Sequence, residues 1–355
     1  MASSSDVEGY RLPELLALAD EESRSLWDTL SLGYAESQGH PLLRREIAAL
    51  YTQTSADEVV CCVSAEEAIY LVTRVLVRPG DHVIATFPAY QSSYEVARSI
   101  GADVSFLHLH PQKTEEGLSW RLDMDELRRM VRPETRLIAV NFPNNPTGAL
   151  LSQAEWSQVV SVAREVGCYL LSDEVYRGME YSETDRLPAA VDAYEKAISI
   201  GAMSKTYALA GLRVGWLATK DEALRASVLS YKDYTTICGS APSEILAIMG
   251  LRAKDRVVAR TREIIRANLE QVTHFMHEHE AWFEWIAPKA ASVAFPRLRL
   301  AEPIDSFAKQ LVEREGVMIL PANVFSYPGN HFRVGLGRAK LNEALERIGR
   351  FVRAY

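Results

Sequence analysis

"KAISIGAMSKTYALAGLRVGWLAT", residues 196–219, is the stretch on which the reading of this chain turns. Its ends, 196–201 and 213–219, are short apolar runs of the kind that form buried strands. Between them Lys205 and Arg213 sit among small and apolar residues. Poor solvation destabilises an ammonium, so a lysine there gains nucleophilic character, as a Schiff base with an aldehyde requires. An arginine fork suits a phosphate. The pair Lys205-Thr206 is not part of a P-loop: Ser204 precedes the lysine and no G-x-x-x-x-G frame lies upstream.

Outward from this stretch the same texture repeats. "EVVCCV" (58–63) leads to "AEEAIYLVTRVLVR" (65–78), and "DHVIATF" (81–87) to "SSYEVARSI" (92–100). "DVSFLHL" (103–109) follows, then "TRLIAVNF" (135–142), helical "SQAEWSQVVSVAREVG" (152–167) and "CYLLSD" (168–173). Strand-like runs separated by helices predict an α/β fold: a mostly parallel seven-stranded sheet with helices on both faces. Near 243–280, apolar residues at helical spacing predict one long helix. It would join a large domain, residues 36–245, to a smaller α+β domain made of 1–35 and 246–355.

Bulk composition narrows the function classes. The chain has 355 residues, 48% hydrophobic and 24% charged, which suits one enzyme-sized unit. Its net charge of −8 argues against nucleic-acid binding. No long apolar run predicts a membrane span, and the N-terminal stretch lacks a signal-peptide pattern, so a cytoplasmic protein is expected. The four cysteines, Cys61, Cys62, Cys168 and Cys238, have neither C-x-x-C nor zinc-type spacing. Reduced thiols and no metal are expected.

Five stretches carry chemistry, each at a strand end or helix start, where open α/β sheets bind ligands. Ser64 begins a helix with Glu67 three residues on, a capping-box pattern, and a helix N-terminus can also hold a phosphate. Tyr90, in "FPAY", could stack on a planar ring. "NFPNNPTG" (141–148) makes a rigid turn that presents Asn145 as a donor. Asp173 ends a buried strand, where a carboxylate needs a partner such as a protonated ring nitrogen, and Tyr176 follows it closely. Lys205 and Arg213 complete the set. A ligand with a phosphate, a ring with a protonated nitrogen and a phenolic oxygen, and an aldehyde satisfies all five: pyridoxal 5′-phosphate.

With "NNPTG", "SDEVY" and "SKTYALAGLRVG" in this order, the chain resembles the class I/II aminotransferases of the fold-type-I pyridoxal-phosphate enzymes, from about residue 32 to 337. The resemblance implies that Lys205 holds the cofactor and later shuttles the proton. It implies that Asp173 partners the ring nitrogen, and that Asn145 and Tyr176 donate to the ring oxygen. Tyr90 would stack. Ser64, Ala65, Glu66, Ser204 and Arg213 would form the phosphate site. Tyr34 would reach the phosphate of a neighbouring subunit, which implies a homodimer with shared sites. Arg333 would grip the α-carboxylate of a small amino acid substrate, beside Asn145. The chain departs from the family at Ser64-Ala65-Glu66, at Ala202 and at Ala322. Its short N-terminal arm and "FSYPGNHFRVG" ending are similar to the capreomycidine- and enduracididine-forming branch. In that setting Asp6 and Glu8 are expected at the active-site mouth, facing a cationic substrate side chain.

The activity expected is transamination between an L-amino acid and a 2-oxo acid. Elimination or cyclisation of a hydroxylated arginine-like amino acid uses the same groups and stays open. A non-catalytic regulator on the same fold is the remaining reading; such regulators normally carry a basic DNA-binding module, and the chain shows none.

Overall fold

The computed structural model of the protein describes residues 2–114 and 117–354. Its centre is a sheet of β1 (Val59–Cys62), β2 (His82–Phe87), β3 (Asp103–Thr114), β4 (Gly117–Leu122), β5 (Thr135–Asn141), β6 (Tyr169–Asp173), β7 (Ala197–Ala202) and β8 (Gly215–Ala218). The spatial order is β1-β8-β7-β6-β5-β2-β3-β4. Neighbours from β7 to β3 run parallel, β8 runs antiparallel to both β1 and β7, and β4 folds back on β3. The sheet thus has eight strands, not the seven expected. The eighth leaves no continuous strand signal in the sequence because in "GLSWRL" only Trp120 and Leu122 are buried. A half-buried strand at a sheet edge lacks the continuous apolar run of its central neighbours.

β2, β5, β6 and β7 are buried along almost their whole length, as helix-covered strands must be. Their carboxyl ends place Phe87, Asn141, Asp173 and Ala202 along one rim, and the functional loops spring from it.

The single long helix expected near 243–280 is two helices, Ala241–Arg252 and Lys254–Glu278. They part at Ala253, whose backbone leaves the helical region (φ −91°, ψ 16°). The first is buried on every face from Glu244 to Leu251, whereas the second buries one stripe, including Val257, Thr261, Ile265 and Val272. Two such different surroundings go with two helices rather than one, and spacing alone does not reveal the break. The helices Leu12–Leu16 and Glu21–Asp28 pack on the first of the two.

A three-stranded antiparallel sheet, in the order 293–294, 332–335, 320–321, lies toward the C-terminus. Residues 2–8 run along its edge as a strap. The Gly335 N–H donates to the Ala2 carbonyl (2.8 Å), the Ala2 N–H to Met318 (3.2 Å) and the Glu8 N–H to Gly337 (2.9 Å). Ala2 and Val7 are fully buried. The approach demands glycine: a Cβ on Gly335 would lie 1.8 Å from the Ser4 carbonyl oxygen, and one on Gly337 2.2 Å from that of Asp6. Among the described residues no helix is long and apolar enough to cross a membrane, and all four cysteines are free thiols.

Gly335→Ala is expected to displace the strap and to cost about 1–3 kcal/mol. Hydrogen exchange would show faster exchange at the amides of residues 2–8; unaltered protection there would contradict this packing.

Candidate active site

Asp173 stands at the end of β6, behind the fully buried Leu170 and Leu171. Its carboxylate is buried too, with one hydrogen bond from the Val175 N–H (3.2 Å). Burial pushes its pKa up to about 7; the Val175 N–H pulls it down, Glu66 pushes it up and Lys205 pulls it down again. Among the described residues no cation lies at ion-pair distance from it.

The loop after β7 brings in Lys205. The Thr206 hydroxyl lies on the carbonyls of Val175 (3.2 Å) and Arg177 (2.8 Å), which fastens this loop to the one after Asp173. Ala208 and Arg213 both adopt left-handed backbone, each at φ 52°, a conformation costly for residues with a Cβ. Gly215 lets β8 approach the start of helix Ala65–Leu76: a Cβ there would lie 2.4 Å from the Ala65 nitrogen. Arg213 therefore comes beside that helix's N-terminus. The expected capping box forms only in half. Ser64 Oγ accepts from the Glu67 N–H (3.2 Å), but Glu67 reaches one residue further back, to the Val63 N–H (2.8 Å). The Ala65 and Glu66 N–H groups lie in the first turn, which has no intrahelical acceptor to offer them.

Asn141 organises the 141–148 turn. Its Oδ1 accepts from the Asn145 N–H (2.9 Å) and its Nδ2 donates to the Asp173 carbonyl (3.3 Å). Asn145 Oδ1 in turn accepts from Arg333 Nη1 (3.0 Å), which leaves the amide N–H groups of Asn145 to donate elsewhere. Arg333 Nη2 donates to the Ser3 carbonyl (2.7 Å), and its Nε is buried without a partner. Burial pushes the Arg333 guanidinium below its usual range, and the nearby Tyr176, Tyr90 and Asp6 oppose this. Tyr90 is 42% exposed, and its partial desolvation and Glu66 raise its phenol. Tyr176 is buried and donates to the Ser5 carbonyl (3.2 Å). Lys205 Nζ donates to Ser5 Oγ (2.8 Å) and lies 5.7 Å from the Tyr176 ring centre.

Lys205, Asp173, Tyr176, Asn145, Arg333 and Tyr90 are thus brought together, with Ser204 half-buried beside the lysine. Glu66, exposed at the rim, borders the cluster: partial desolvation raises its carboxyl, and Lys205 and Arg213 pull it down. Two residues lie elsewhere. Tyr34 is 89% exposed, in a hollow with Leu30 and His40. Glu8 lies on the strap, where its carboxylate accepts from the Ala339 N–H (3.1 Å), and Asp6 pairs with Arg338 (2.8 Å). Both acids are spent on pinning the strap. Sequence reasoning missed Ser3, Ser5, Ser292 and Asn141. Only Asn141 carried a signal, as the first residue of the turn motif.

These residues fit pyridoxal phosphate. A buried carboxylate without a cation matches a protonated ring nitrogen, the free Asn145 amide matches a ring oxygen, and the helix start with Arg213 matches a phosphate.

The family model for aminotransferase class I and II matches residues 9–348. Capreomycidine synthase of Streptomyces vinaceus is 30% identical over 350 residues, 98% of this chain and 88% of that protein. A pyridoxal-phosphate-dependent aminotransferase from Streptococcus suis superposes with a TM-score of 0.92 at 31% identity, covering 100% of this chain and 93% of that one. The pyridoxal-phosphate-dependent cyclase OrfR does so with a TM-score of 0.89 at 29% identity, covering 99% and 92%.

A raised carboxyl pKa means that the folded, cofactor-free protein holds a proton the unfolded chain has released. Stability from this group therefore falls as pH rises from about 4 through about 7. Asp173→Asn should flatten that dependence by roughly 2–3 kcal/mol between about pH 5 and pH 8. Urea unfolding of both cofactor-free proteins at the two pH values measures it; parallel curves would mean that Asp173 is not a buried, unpaired acid.

Proposed function

Because the chain belongs to the aminotransferase class I and II family, we propose that it transfers the amino group of an L-amino acid to a 2-oxo acid. The observation that carries the reading is the buried, partnerless Nε of Arg333, in the same cluster as Lys205 and Asp173. A guanidinium edge with an unused donor suits a substrate α-carboxylate, held by parallel hydrogen bonds.

Pyridoxal phosphate, when bound, supplies an aldehyde for amines and a conjugated ring that accepts the electron pair left when a Cα–H bond breaks. This chain's residues do the rest. Lys205 would hold the cofactor's aldehyde, and its amine, when free, would take the substrate's α-proton. Asp173, ionised by its cationic partner, keeps a proton on the ring nitrogen. Asn145 and Tyr176 would donate to the ring oxygen, and Tyr90 would lie against the ring. Arg333, fixed by Asn145 and Ser3, sets the angle at which the Cα–H bond meets the Lys205 amine.

A second reading has its own support. Glu66 places a carboxylate where the family's phosphate turn usually has a small residue, and it could pair with a guanidinium. The similarity to capreomycidine synthase and to OrfR points the same way. In this reading Lys205 takes the same proton, but the side chain then loses a leaving group or closes a ring, with no oxo acid consumed.

The absorption of the cofactor-loaded protein, followed while single L-amino acids are added without an oxo acid, separates the two. Lasting conversion of the cofactor to its aminated form, with one equivalent of oxo acid released, is expected for transamination. A spectrum that returns to rest beside a new product, with arginine or hydroxyarginine, would support ring closure. Lys205→Ala should lose at least about 10³-fold in turnover under either reading.

We also infer a homodimer with shared sites. Leu32, Tyr34 and Tyr234 are 83%, 89% and 89% exposed, which is unusual for such large apolar side chains. A partner's Lys205 and Arg213 cluster would receive Tyr34. Mixing Lys205→Ala with Tyr34→Phe protein should then restore about a quarter of wild-type activity, from heterodimers with one intact site. No recovery on mixing would argue for self-contained sites.

A further inference from the structure

Resting on the reading of Lys205 as the amine that takes the α-proton, we propose that Ser5 is a positioning residue for Lys205. Its hydroxyl accepts one N–H of the amine at 2.8 Å and so aims the nitrogen lone pair. A lysine amine hangs on a four-carbon stem and turns freely about its last bonds. A single directed hydrogen bond at the nitrogen removes most of that freedom. The acceptor is neutral, and among the described residues no carboxylate lies at ion-pair distance from Lys205. A carboxylate in this place would hold the ammonium form and leave no lone pair to accept a proton; a hydroxyl orients the amine without that cost.

Ser5 is itself held on every side. Its carbonyl accepts from Ser292 Oγ (2.7 Å), and Ser292 is fully buried. Tyr176 donates to the same carbonyl (3.2 Å); with cofactor present its single proton would turn to the ring oxygen, and Ser292 would still anchor the strap. Two residues before Ser5, the Ser3 carbonyl fixes Arg333 (2.7 Å). One residue after it, Asp6 pairs with Arg338 (2.8 Å), and Val7 is buried. One short strap thus references both the group that grips the carboxylate and the group that takes the proton. The step is a plain proton transfer. The Cα–H bond breaks, the proton forms a bond to the Lys205 nitrogen, and the electron pair stays on the substrate–cofactor side. Ser5 neither gains nor loses a proton.

The test uses Ser5→Ala, Ser5→Thr and, as a neighbour on the same strap, Ser4→Ala. The first readout is deuterium incorporation at Cα, with cofactor-loaded protein in D2O and each proteinogenic L-amino acid supplied separately. Ser5→Ala should exchange at least about 10-fold more slowly at saturation, with KM within about 3-fold of wild type. Ser5→Thr, which keeps the hydroxyl, should recover most of the rate, and Ser4→Ala should match wild type. The second readout needs no reaction and no cofactor. Reductive methylation of the cofactor-free protein, quantified on the Lys205 peptide relative to Lys220, should shift at least about 2-fold in Ser5→Ala and return in Ser5→Thr. Exchange at the wild-type rate in Ser5→Ala overturns the proposal. So does equal loss in Ser5→Ala and Ser4→Ala with a lowered Tm, which would mark Ser5 as strap packing only. Should wild type exchange no α-proton at all, the reading of the reaction falls. The labelling ratio then decides the contact alone: unchanged, it overturns Ser5's hold on Lys205, and shifted, it upholds it.

Discussion

A carboxylate buried at the end of a central strand is the constraint around which the rest of this structure is arranged. Among the described residues Asp173 has one backbone hydrogen bond and no cation at ion-pair distance, and burial drives its pKa up to about 7. Ionising such a group is costly unless a partner offsets the lost solvation. A protonated ring nitrogen, as in the function proposed above, would do that. It also explains why Asp173 sits where parallel strands converge rather than at an exposed helix start. An ordinary N-cap aspartate would be solvated and acidic.

The neighbouring loops are tied to that point by short polar links. Asn141 joins the rigid turn to the Asp173 carbonyl, and Thr206 joins the lysine loop to the carbonyls after Asp173. Gly215 brings Arg213 to the start of the helix that begins at Ala65. Each link is a hydrogen bond or a close backbone approach, so the relative positions of Lys205, Asn145 and Arg213 are set without relying on flexible side chains. The left-handed backbone at Ala208 and Arg213 is tolerated because these contacts determine the loop's path.

The strap of residues 2–8 closes the arrangement from the other side. Apart from its two acids it carries no sequence mark of function: three serines and small apolar residues resemble a solvated terminus. Its importance arises from Gly335 and Gly337, more than three hundred positions away, which let its backbone lie against the small sheet. Once docked, its carbonyls and one hydroxyl meet Arg333, Tyr176, Ser292 and Lys205. Asp6 and Glu8, whose charge suggests a substrate partner, serve instead to hold it down.

The sequence by itself determined the class of fold and the chemical cast. Continuous apolar runs alternating with helices required a mostly parallel sheet, because strands buried on both faces leave that signature. Lysine, aspartate and arginine at strand ends pointed to a phosphorylated aldehyde with a ring nitrogen, because one such ligand gives each of them a partner. Only the tertiary structure decided what depends on contacts between distant residues. The eighth strand is half-buried at an edge and has no continuous run to betray it. The break at Ala253 follows from burial on all faces before it and on one face after it, a difference that residue spacing does not encode. The placement of Ser5 on Lys205 follows from backbone hydrogen bonds between chain ends, and main-chain groups are the same in every residue, so no side-chain pattern could announce it.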